Sequence, residues 1–372
     1  MTPNNKPSKT TPCVSVIVPA YNVGGLLRQC LDSLSSQTIE NIEIIVIDDG
    51  SLDNTGEVLD YCAERDARIK ALHVPNGGVS VARNIGIDTS TAQWIVFVDG
   101  DDWLERDAIE KLYSLVNGTN IDIYAAGYYA NSEKSEVPHT FLAKQTVTEG
   151  IIQLGSDQKT LLEISCLINT KISPKKAPTN IGVCWGKIYR RQFLEDNQIR
   201  FVPGLKRMQD TIFSLECFEK ANRFEILDEP LWHYRLWKGG VTKHGDNSFD
   251  KTGLEVLKYI WIFGHFYDKG EAFWSAYEIK SAQIFEETVE KKLLLSNPRK
   301  TMRSLSGGLK NLSEMEPYRH FISNGAWVQS STKKKRPFFV SLQKKCYTMA
   351  MAYYKCYYKL AAFKRVHHDH AI

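Results

Sequence analysis

The first hundred residues alternate between short apolar runs and longer segments with helical spacing. The apolar runs are rich in β-branched residues and predict four buried strands, at 14–19, 42–50, 69–74 and 94–98. After the first run, an apolar face at helical spacing is formed by Leu26, Leu27, Cys30, Leu31 and Leu34. Strand and helix therefore alternate at short intervals, which is typical of an α/β fold with a mostly parallel sheet and helices on both faces.

Polar residues collect at the carboxyl end of each predicted strand. The four groups are Pro19-Ala20-Tyr21-Asn22, Asp48-Asp49-Gly50-Ser51, Asn76-Gly77-Gly78 and Asp99-Gly100-Asp101-Asp102. In open parallel sheets, ligands bind in the crevice outside the carboxyl ends of the strands. We therefore expect the four strand ends to form one binding crevice.

The segment FVDGDDW, residues 97–103, places the carboxylates of Asp99, Asp101 and Asp102 in a single turn. Carboxylates packed this closely repel one another unless a cation or hydrogen-bond donors compensate. After the first strand the chain reads PAYNVGG and lacks the GxGxxG pattern, so a backbone cradle for phosphate is not predicted there. A diphosphate in this crevice would need a bridging cation, and Mg²⁺ often binds through carboxylates and substrate phosphates together. The segment therefore predicts a metal–diphosphate platform.

Four segments, VSVIVPAYN, IIVIDDGSLDNT, NGGVSVARNIG and FVDGDDW, resemble in order and spacing the inverting family 2 glycosyltransferases, which have the GT-A fold. The resemblance covers residues 12–115. It implies transfer of a sugar from a nucleotide-sugar donor, expected to be a UDP-sugar, to a saccharide or a lipid-linked glycan in cell-surface polysaccharide synthesis. It also implies a divalent metal, Mn²⁺ or Mg²⁺, which stabilises the charge that builds on the leaving diphosphate.

The resemblance assigns roles to individual residues at the strand ends. The residues implied to bind the donor are Pro19, Tyr21, Asp49, Asn76, Arg83, Asp99 and Arg235. Asp49 is implied to accept a hydrogen bond from a base N–H, and Asp99 to lie near the ribose and the donor sugar. Asp101 is implied to be the direct metal ligand, with Asp99 beside it.

Inverting transfer also needs a base for the acceptor hydroxyl. In the resembling family, this base is the Asp of an acidic pair that opens a helix, and here the pair is Gln209-Asp210. Asp210 precedes TIFSLECF, which has an apolar helical face, so we predict Asp210 as the base at a helix N-terminus. The alternative is that Asp210 only caps the helix.

The segment LWHYRLWKGGVTK, residues 231–243, resembles the aromatic-Arg segment that closes over the diphosphate in the same family. Arg235 is then expected to pair with phosphate oxygens, and His233 to be a third metal ligand. The alternative is a packed aromatic strand end with a solvated Arg. Trp103 and Trp185 each have two interpretations from the sequence: stacking on an acceptor sugar, or packing in the core.

Charge separates the end of the chain from the rest. The net charge is +4, but residues 333–372 contain ten Lys or Arg and one acid. A helical stripe there consists of Tyr347, Ala350, Met351, Tyr354, Tyr358 and Ala361. A basic, aromatic amphipathic helix is typical of membrane-surface binding, and the alternative is a helix docked on the protein's own core. Nothing else in the chain favours nucleic acid as a partner.

These patterns predict five segments. They are a polar segment (1–12), a nucleotide-sugar-binding half (13–115), an acceptor-binding half (116–245), a helical region (246–332) and a basic aromatic tail (333–372). The eight cysteines include no CxxC pair, which argues against zinc or thioredoxin chemistry. Scattered thiols and a polar N-terminus without an apolar signal region predict the cytoplasm. The basic aromatic tail predicts peripheral attachment at the inner face of the plasma membrane.

Two other functions remain open from the sequence. A sugar-nucleotide nucleotidyltransferase would need a Gly-rich N-terminal loop with a Lys or Arg signature, which residues 14–28 lack. A non-catalytic nucleotide-sugar-binding protein would be expected to have lost the Asp-x-Asp triplet, here Asp99 to Asp101, or the predicted base Asp210. Both are present in this sequence. The missing GxGxxG also argues against a dehydrogenase.

Overall fold

A computed structural model describes residues 11–141, 152–168, 181–237, 249–295, 300–325, 327–330 and 334–368. The chain divides into two compact units, Met1–Lys238 and Gly239–Ile372.

The first unit is built on one sheet. Its strands are β1 (Val14–Ala20), β2 (Ile42–Asp48), β3 (Ile69–His73), β4 (Trp94–Phe97), β5 (Trp103–Leu104), β6 (Ile123–Asn131), β7 (Glu136–His139), β8 (Ile152–Gln153), β9 (Lys187–Arg190) and β10 (Arg223–Arg235). Their order is β3-β2-β1-β4-β9-β6-β10-β5, with β7 beside β6 and β8 beside β10. The first four strands pair in parallel, as do β6 and β10. The predicted α/β class is confirmed, and the later strands β5, β7, β8 and β9 add antiparallel pairs to it.

The central strands are buried along their whole length, because their β-branched side chains fill both faces of the sheet. Ile17 on β1 lies opposite Ile45 on β2 and Phe97 on β4. Since these strands run in the same direction, the segments that follow them leave the same edge of the sheet. The predicted meeting of the strand ends is therefore built into the register.

Helices connect the strands of this unit. They are α1 (Gly24–Ser35), α2 (Thr55–Ala63), α3 (Val79–Thr89), α4 (Ala108–Val116), α5 (Ser156–Leu167), α6 (Arg191–Asp196) and α7 (Gln209–Lys220). The predicted face of α1 is buried except for the half-buried Leu26. The Asp53 carboxylate accepts from the Thr55 N–H at 3.0 Å and from the Gly24 N–H at 3.1 Å. One side chain thus satisfies free amides at the starts of both α1 and α2.

The second unit is helical where it is described, as predicted. It contains α8 (Phe249–Phe266), α9 (Glu271–Thr288), a π-helical segment (Val289–Leu295), α10 (Met302–Ser313), α11 (Tyr318–Asn324), α12 (Trp327–Ser330), α13 (Arg336–Gln343) and α14 (Tyr347–His368). Across the residues described in both units, no helix combines the length and the apolar character needed to cross a membrane.

The basic tail packs within the second unit. Ala350, Met351 and Tyr354 of the predicted stripe are buried, and the Tyr354 ring lies 4.6 Å from that of Phe338 on α13. Ala361 falls outside the described side chains. The middle of the stripe is therefore covered by the protein itself, which is the alternative that the sequence left open, and these three side chains are not available to a membrane surface.

Candidate active site

The acidic turn after β4 lies against the end of β1. The Asp102 N–H donates to the Asp99 carbonyl at 3.0 Å and closes the turn. A Cβ added to Gly100 would lie 3.1 Å from the Pro19 carbonyl oxygen, so a glycine lets the turn approach β1 closely. Pro19 is buried at that strand end, while Tyr21 is 45% exposed beside it. The structure thus brings the first and fourth strand ends together.

The end of β10 is fastened to this turn. The Arg235 backbone N–H donates to Asp102 Oδ1 at 2.8 Å, and Arg235 Nε donates to the Asp101 carbonyl at 2.7 Å. Trp237 Nε1 donates to Asp101 Oδ2 at 2.7 Å. The Arg235 guanidinium also lies 4.5 Å from the Trp103 ring centroid. Arg235 is therefore held at the carboxylate cluster, and Trp237, to which the sequence gave no role, binds the predicted metal ligand directly.

The carboxylates of the turn are not fully compensated. Burial and the Asp99 charge raise the pKa of Asp101. Burial and the charges of Asp101 and Asp99 raise the pKa of Asp102 well above its ordinary range. Asp102 is 1% exposed, and its Oδ2 is buried without a hydrogen-bond partner. The turn therefore carries an excess of negative charge that would attract a cation.

Asp49 holds the loop after β3. Its Oδ1 accepts from the Gly77 N–H at 2.7 Å and its Oδ2 from the Gly78 N–H at 2.8 Å. Asn76 Nδ2 donates to the Asp49 carbonyl at 2.9 Å. Asp49 is 3% exposed, and in this structure its carboxylate holds the loop beside the crevice in place. Each carboxylate oxygen keeps a second lone pair, so the predicted contact with a base N–H remains a prediction.

Arg83 joins two parts of the crevice that are far apart in sequence. It lies on α3, is 2% exposed, and donates to Asp99 Oδ1 at 2.7 Å and to Asp210 Oδ1 at 2.5 Å. Its guanidinium also lies 5.1 Å from the ring centroid of Phe201. Although burial lowers the pKa of Arg83, the Asp210 and Asp99 charges raise it well above its ordinary value. One buried cation therefore links the predicted base to the acidic turn.

Asp210 does not cap its helix. The N-cap position of α7 is Met208, and no side chain caps there. Asp210 Oδ1 accepts a hydrogen bond from Arg83 Nη1 at 2.5 Å. Burial raises the pKa of Asp210, Arg83 opposes that rise, and Asp99 adds to it. The side chain keeps 20% of its surface exposed, which leaves room for an acceptor hydroxyl.

The structure does not bring His233 to the carboxylates of Asp99 and Asp101. Its ring is stacked between Trp103 at 4.8 Å and Tyr129 at 4.9 Å. Its Nε2 lies 3.0 Å from a Glu105 oxygen, and its Nδ1 lies 3.3 Å from Asn131 Oδ1. Among the residues described, no three His, Cys, Asp or Glu side chains form a group that could hold a metal. The packed aromatic strand end, the alternative from the sequence, is what the structure shows for His233.

The two tryptophans considered for the acceptor are both engaged. The Trp103 ring contacts His233 and Arg235. Trp185 is 6% exposed and stacks on Tyr234, with ring centroids 5.3 Å apart. Trp185 is thus a packed residue, whereas Trp103 is half-buried between His233 and Arg235.

The chain is similar to known glycosyltransferases in sequence. Residues 15–197 match the family described as "Glycosyl transferase family 2". The chain is 41% identical to "Glycosyltransferase GlyG" of Streptococcus pneumoniae serotype 4 (strain ATCC BAA-334 / TIGR4) over 249 residues, 66% of this chain and 78% of that protein. It is 35% identical to "Uncharacterized glycosyltransferase EpsJ" of Bacillus subtilis (strain 168) over 236 residues, 62% of this chain and 63% of that protein.

A solved structure shares the fold. The structure of S. aureus TarS 1-349 in complex with UDP-GlcNAc superposes with a TM-score of 0.61 at 20% sequence identity, over 93% of this chain and 92% of that one. The expected GT-A-like fold is thereby confirmed. By the extent of its match to GlyG, the chain belongs to glycosyl transferase family 2 and is a glycosyltransferase.

Proposed function

We propose that this chain transfers a sugar, with inversion, from a nucleoside-diphosphate sugar to a saccharide hydroxyl, with Asp210 as the base. The observation that carries the proposal is the buried Arg83 bridge, which joins Asp210 to the acidic donor turn at Asp99. In the proposed step, the Asp210 carboxylate takes the proton of the acceptor hydroxyl. The hydroxyl oxygen bonds to the anomeric carbon as the bond from that carbon to the diphosphate breaks on the opposite face.

The donor is proposed to be a UDP-sugar whose nucleoside lies over the ends of β1, β2 and β3. Pro19, Tyr21, Asp49 and Asn76 border that part of the crevice, with Tyr21 exposed at its mouth. The neighbouring TarS structures contain UDP or UDP-GlcNAc, which supports uridine as the base. Asp99 is proposed to contact the ribose and the donor sugar from the side opposite its bond to Arg83.

A divalent cation, Mn²⁺ or Mg²⁺, is proposed at the acidic turn, held by Asp101 with Asp99. The fit rests on the uncompensated charge there: the pKa of Asp101 is raised by burial and by Asp99, and Asp102 has an unpaired oxygen. When bound, such an ion would stabilise the charge on the leaving diphosphate. Two carboxylates leave coordination positions for diphosphate oxygens, as Mg²⁺ sites often do. Arg235 is placed at the same turn, where its guanidinium would meet phosphate oxygens.

The acceptor is proposed to be a cell-surface polysaccharide or its lipid-linked precursor, in capsule, exopolysaccharide or O-antigen synthesis. Support comes from relatives named as poly(ribitol-phosphate) β-N-acetylglucosaminyltransferases, TarS and TarP of Staphylococcus aureus, which are 26% and 29% identical to this chain. Attachment to a membrane through such an acceptor would not require the buried stripe of α14. Vesicle sedimentation of the full chain, with and without extracted lipid-linked glycan, would test this.

The test is hydrolysis and transfer with a panel of nucleotide-sugars, with Mn²⁺, with Mg²⁺ and with EDTA. We expect one donor to be turned over in a metal-dependent way, and Asp101→Ala to abolish that turnover. Asp210→Asn should retain UDP binding and lose transfer. Asp228→Asn, at an exposed carboxylate of β10, is the matched control and should behave as wild type. Nucleotide binding without turnover of any donor would instead indicate the non-catalytic binding protein.

A further inference from the structure

The indole of Trp237 donates directly to the carboxylate of Asp101. Trp237 Nε1 lies 2.7 Å from Asp101 Oδ2, and both residues are half-buried. The chain just before the indole is held in place, because the Leu236 N–H donates to the Asn131 carbonyl at 2.6 Å. The end of β10 therefore determines where the indole meets the acidic turn.

The donors at Asp101 differ in charge and in the atom that they engage. The cationic Arg235 donates from Nε to the backbone carbonyl of Asp101 at 2.7 Å, and from Nη2 to Gln29 Oε1 at 2.6 Å. The carboxylate of Asp101 accepts from the neutral indole of Trp237. An indole is a donor without charge, so it can orient a carboxylate and leave its negative charge in place. Such a bond suits a carboxylate that has a cation to bind.

Each of the two carboxylates proposed to hold the cation is engaged through one oxygen. Asp99 accepts from Arg83 Nη2 through Oδ1 at 2.7 Å, and Asp101 accepts from Trp237 through Oδ2. Since an indole has a single N–H, Trp237 engages one oxygen of Asp101 and leaves Oδ1 to another partner. Hydrogen bonds of this kind orient the side chains that bind metal ions.

We propose that Trp237 is a positioning residue for the divalent cation: its indole holds Asp101 by Oδ2 and leaves Oδ1 for the ion. The inference rests on the proposed function, because the cation is the one proposed there. The alternative is a packing role, since a half-buried indole needs a partner for its own N–H. The two interpretations differ in what the loss of that N–H does to metal affinity.

The test is a Mn²⁺ titration of the full-length protein, read by EPR in the presence of UDP, with the Mn²⁺ bound by UDP alone subtracted. Trp237→Phe keeps an aromatic ring and removes the N–H. We expect it to weaken Mn²⁺ binding by about 10–100-fold, the usual effect of losing a hydrogen bond to a metal ligand. UDP binding in EDTA should be unchanged. A packing defect in the crevice would instead weaken UDP binding in EDTA as much as Mn²⁺ binding.

Trp274→Phe is the matched control. Trp274 is also half-buried, and its Nε1 donates to the Lys269 carbonyl at 2.8 Å within the second unit. It should leave Mn²⁺ affinity unchanged. Equal Mn²⁺ affinity in Trp237→Phe and the wild type would overturn the inference, as would an equal loss in the control or an equal loss of UDP binding in EDTA. Trp237→Leu also removes the N–H, and it decides the question if Trp237→Phe does not fold.

Metal binding needs no turnover, so the titration separates this inference from the proposed function. Weaker Mn²⁺ binding in Trp237→Phe, in a protein that turns over no donor, would refute the transferase mechanism and leave the inference standing. Metal-dependent turnover with equal Mn²⁺ affinities would refute the inference alone. A wild type that binds no Mn²⁺ and turns over its donor in EDTA would overturn the inference and the proposed cation, and leave Asp210 as the proposed base.

Discussion

Replacing Arg83 with methionine tests the buried bridge on which the active-site proposal depends. The substitution leaves Asp99 and Asp210 facing each other without the guanidinium that now lies 2.7 Å from one and 2.5 Å from the other. Removing one partner of a buried ion pair costs about 3–5 kcal/mol. For a unit of this size, that corresponds to a fall in Tm of about 6–20 °C.

The assay is calorimetric melting at several pH values, with Arg200→Met as the control. Arg200 pairs with Asp88 at the surface, where the side chains are 33% and 64% exposed, so its loss should cost about 0–1 kcal/mol. The loss in Arg83→Met should be larger at pH 8 than at lower pH, because burial raises the pKa of Asp210 and its protonation relieves the repulsion from Asp99.

A double variant completes the test. Combining Arg83→Met with Asp210→Asn removes one of the two stranded charges, so it should recover about 1–3 kcal/mol relative to additivity. The reasoning is that Arg83, Asp99 and Asp210 form one buried electrostatic unit. It would be refuted by strictly additive effects of the two substitutions, or by equal melting temperatures for Arg83→Met and the Arg200→Met control.

Three further outcomes follow from single sites. Despite burial, which raises it, the pKa of Glu43 is lowered to about 2 by hydrogen bonds from Lys70 and neighbouring hydroxyl and amide groups. Glu43→Gln should therefore cost about 3 kcal/mol in urea unfolding at pH 7, and the difference should vanish as pH falls through about 2. Gly50 has φ +69°, and a Cβ there would lie 2.7 Å from the Asn76 nitrogen, so Gly50→Ala should lower Tm and weaken UDP binding measured by calorimetry. Asp210→Asn should lower kcat by about 10²–10⁴-fold with UDP affinity kept, and wild-type kcat should fall with decreasing pH at a value above the usual Asp range, because burial raises that pKa.

Local sequence patterns were sufficient to predict the strands and helices in the first half of the fold. The runs that became β1, β2 and β4 are dense in β-branched residues, and burial on both faces is what such runs predict. The apolar face after Asp210 became α7, with Ile212, Phe213, Leu215 and Phe218 buried. The later sheet strands are either short or long and aromatic. Their pairing, which is partly parallel and partly antiparallel, depends mainly on contacts between residues far apart in sequence.

The hydrogen-bond and ring-contact partners of the site residues could not be predicted from the sequence either, because these partners also lie far away along the chain. Arg83 was predicted to lie near the donor, and its neighbours in the chain gave no sign of its bond to a residue 127 positions away. His233 was considered as a metal ligand, but its ring is held by aromatic groups from two other strands. In α14 the stripe of aromatic residues favoured a membrane surface over the protein's own core, whereas in the structure Tyr354 of that stripe packs on Phe338.

The three carboxylates of FVDGDDW can lie in one turn because each is held by a different donor. Asp99 is held by the Arg83 guanidinium, Asp101 by the Trp237 indole, and Asp102 by a backbone N–H of the β10 strand end. Two guanidinium groups face the turn: that of Arg83, which is shared with the base, and that of Arg235, whose charge opposes the rise in the pKa values of Asp101 and Asp102. The turn is therefore held in place without being neutralised, which is why the pKa of Asp101 remains raised by burial and by its neighbour. A turn that was fully neutralised would have no attraction for a cation, whereas this one keeps its shape and its charge together.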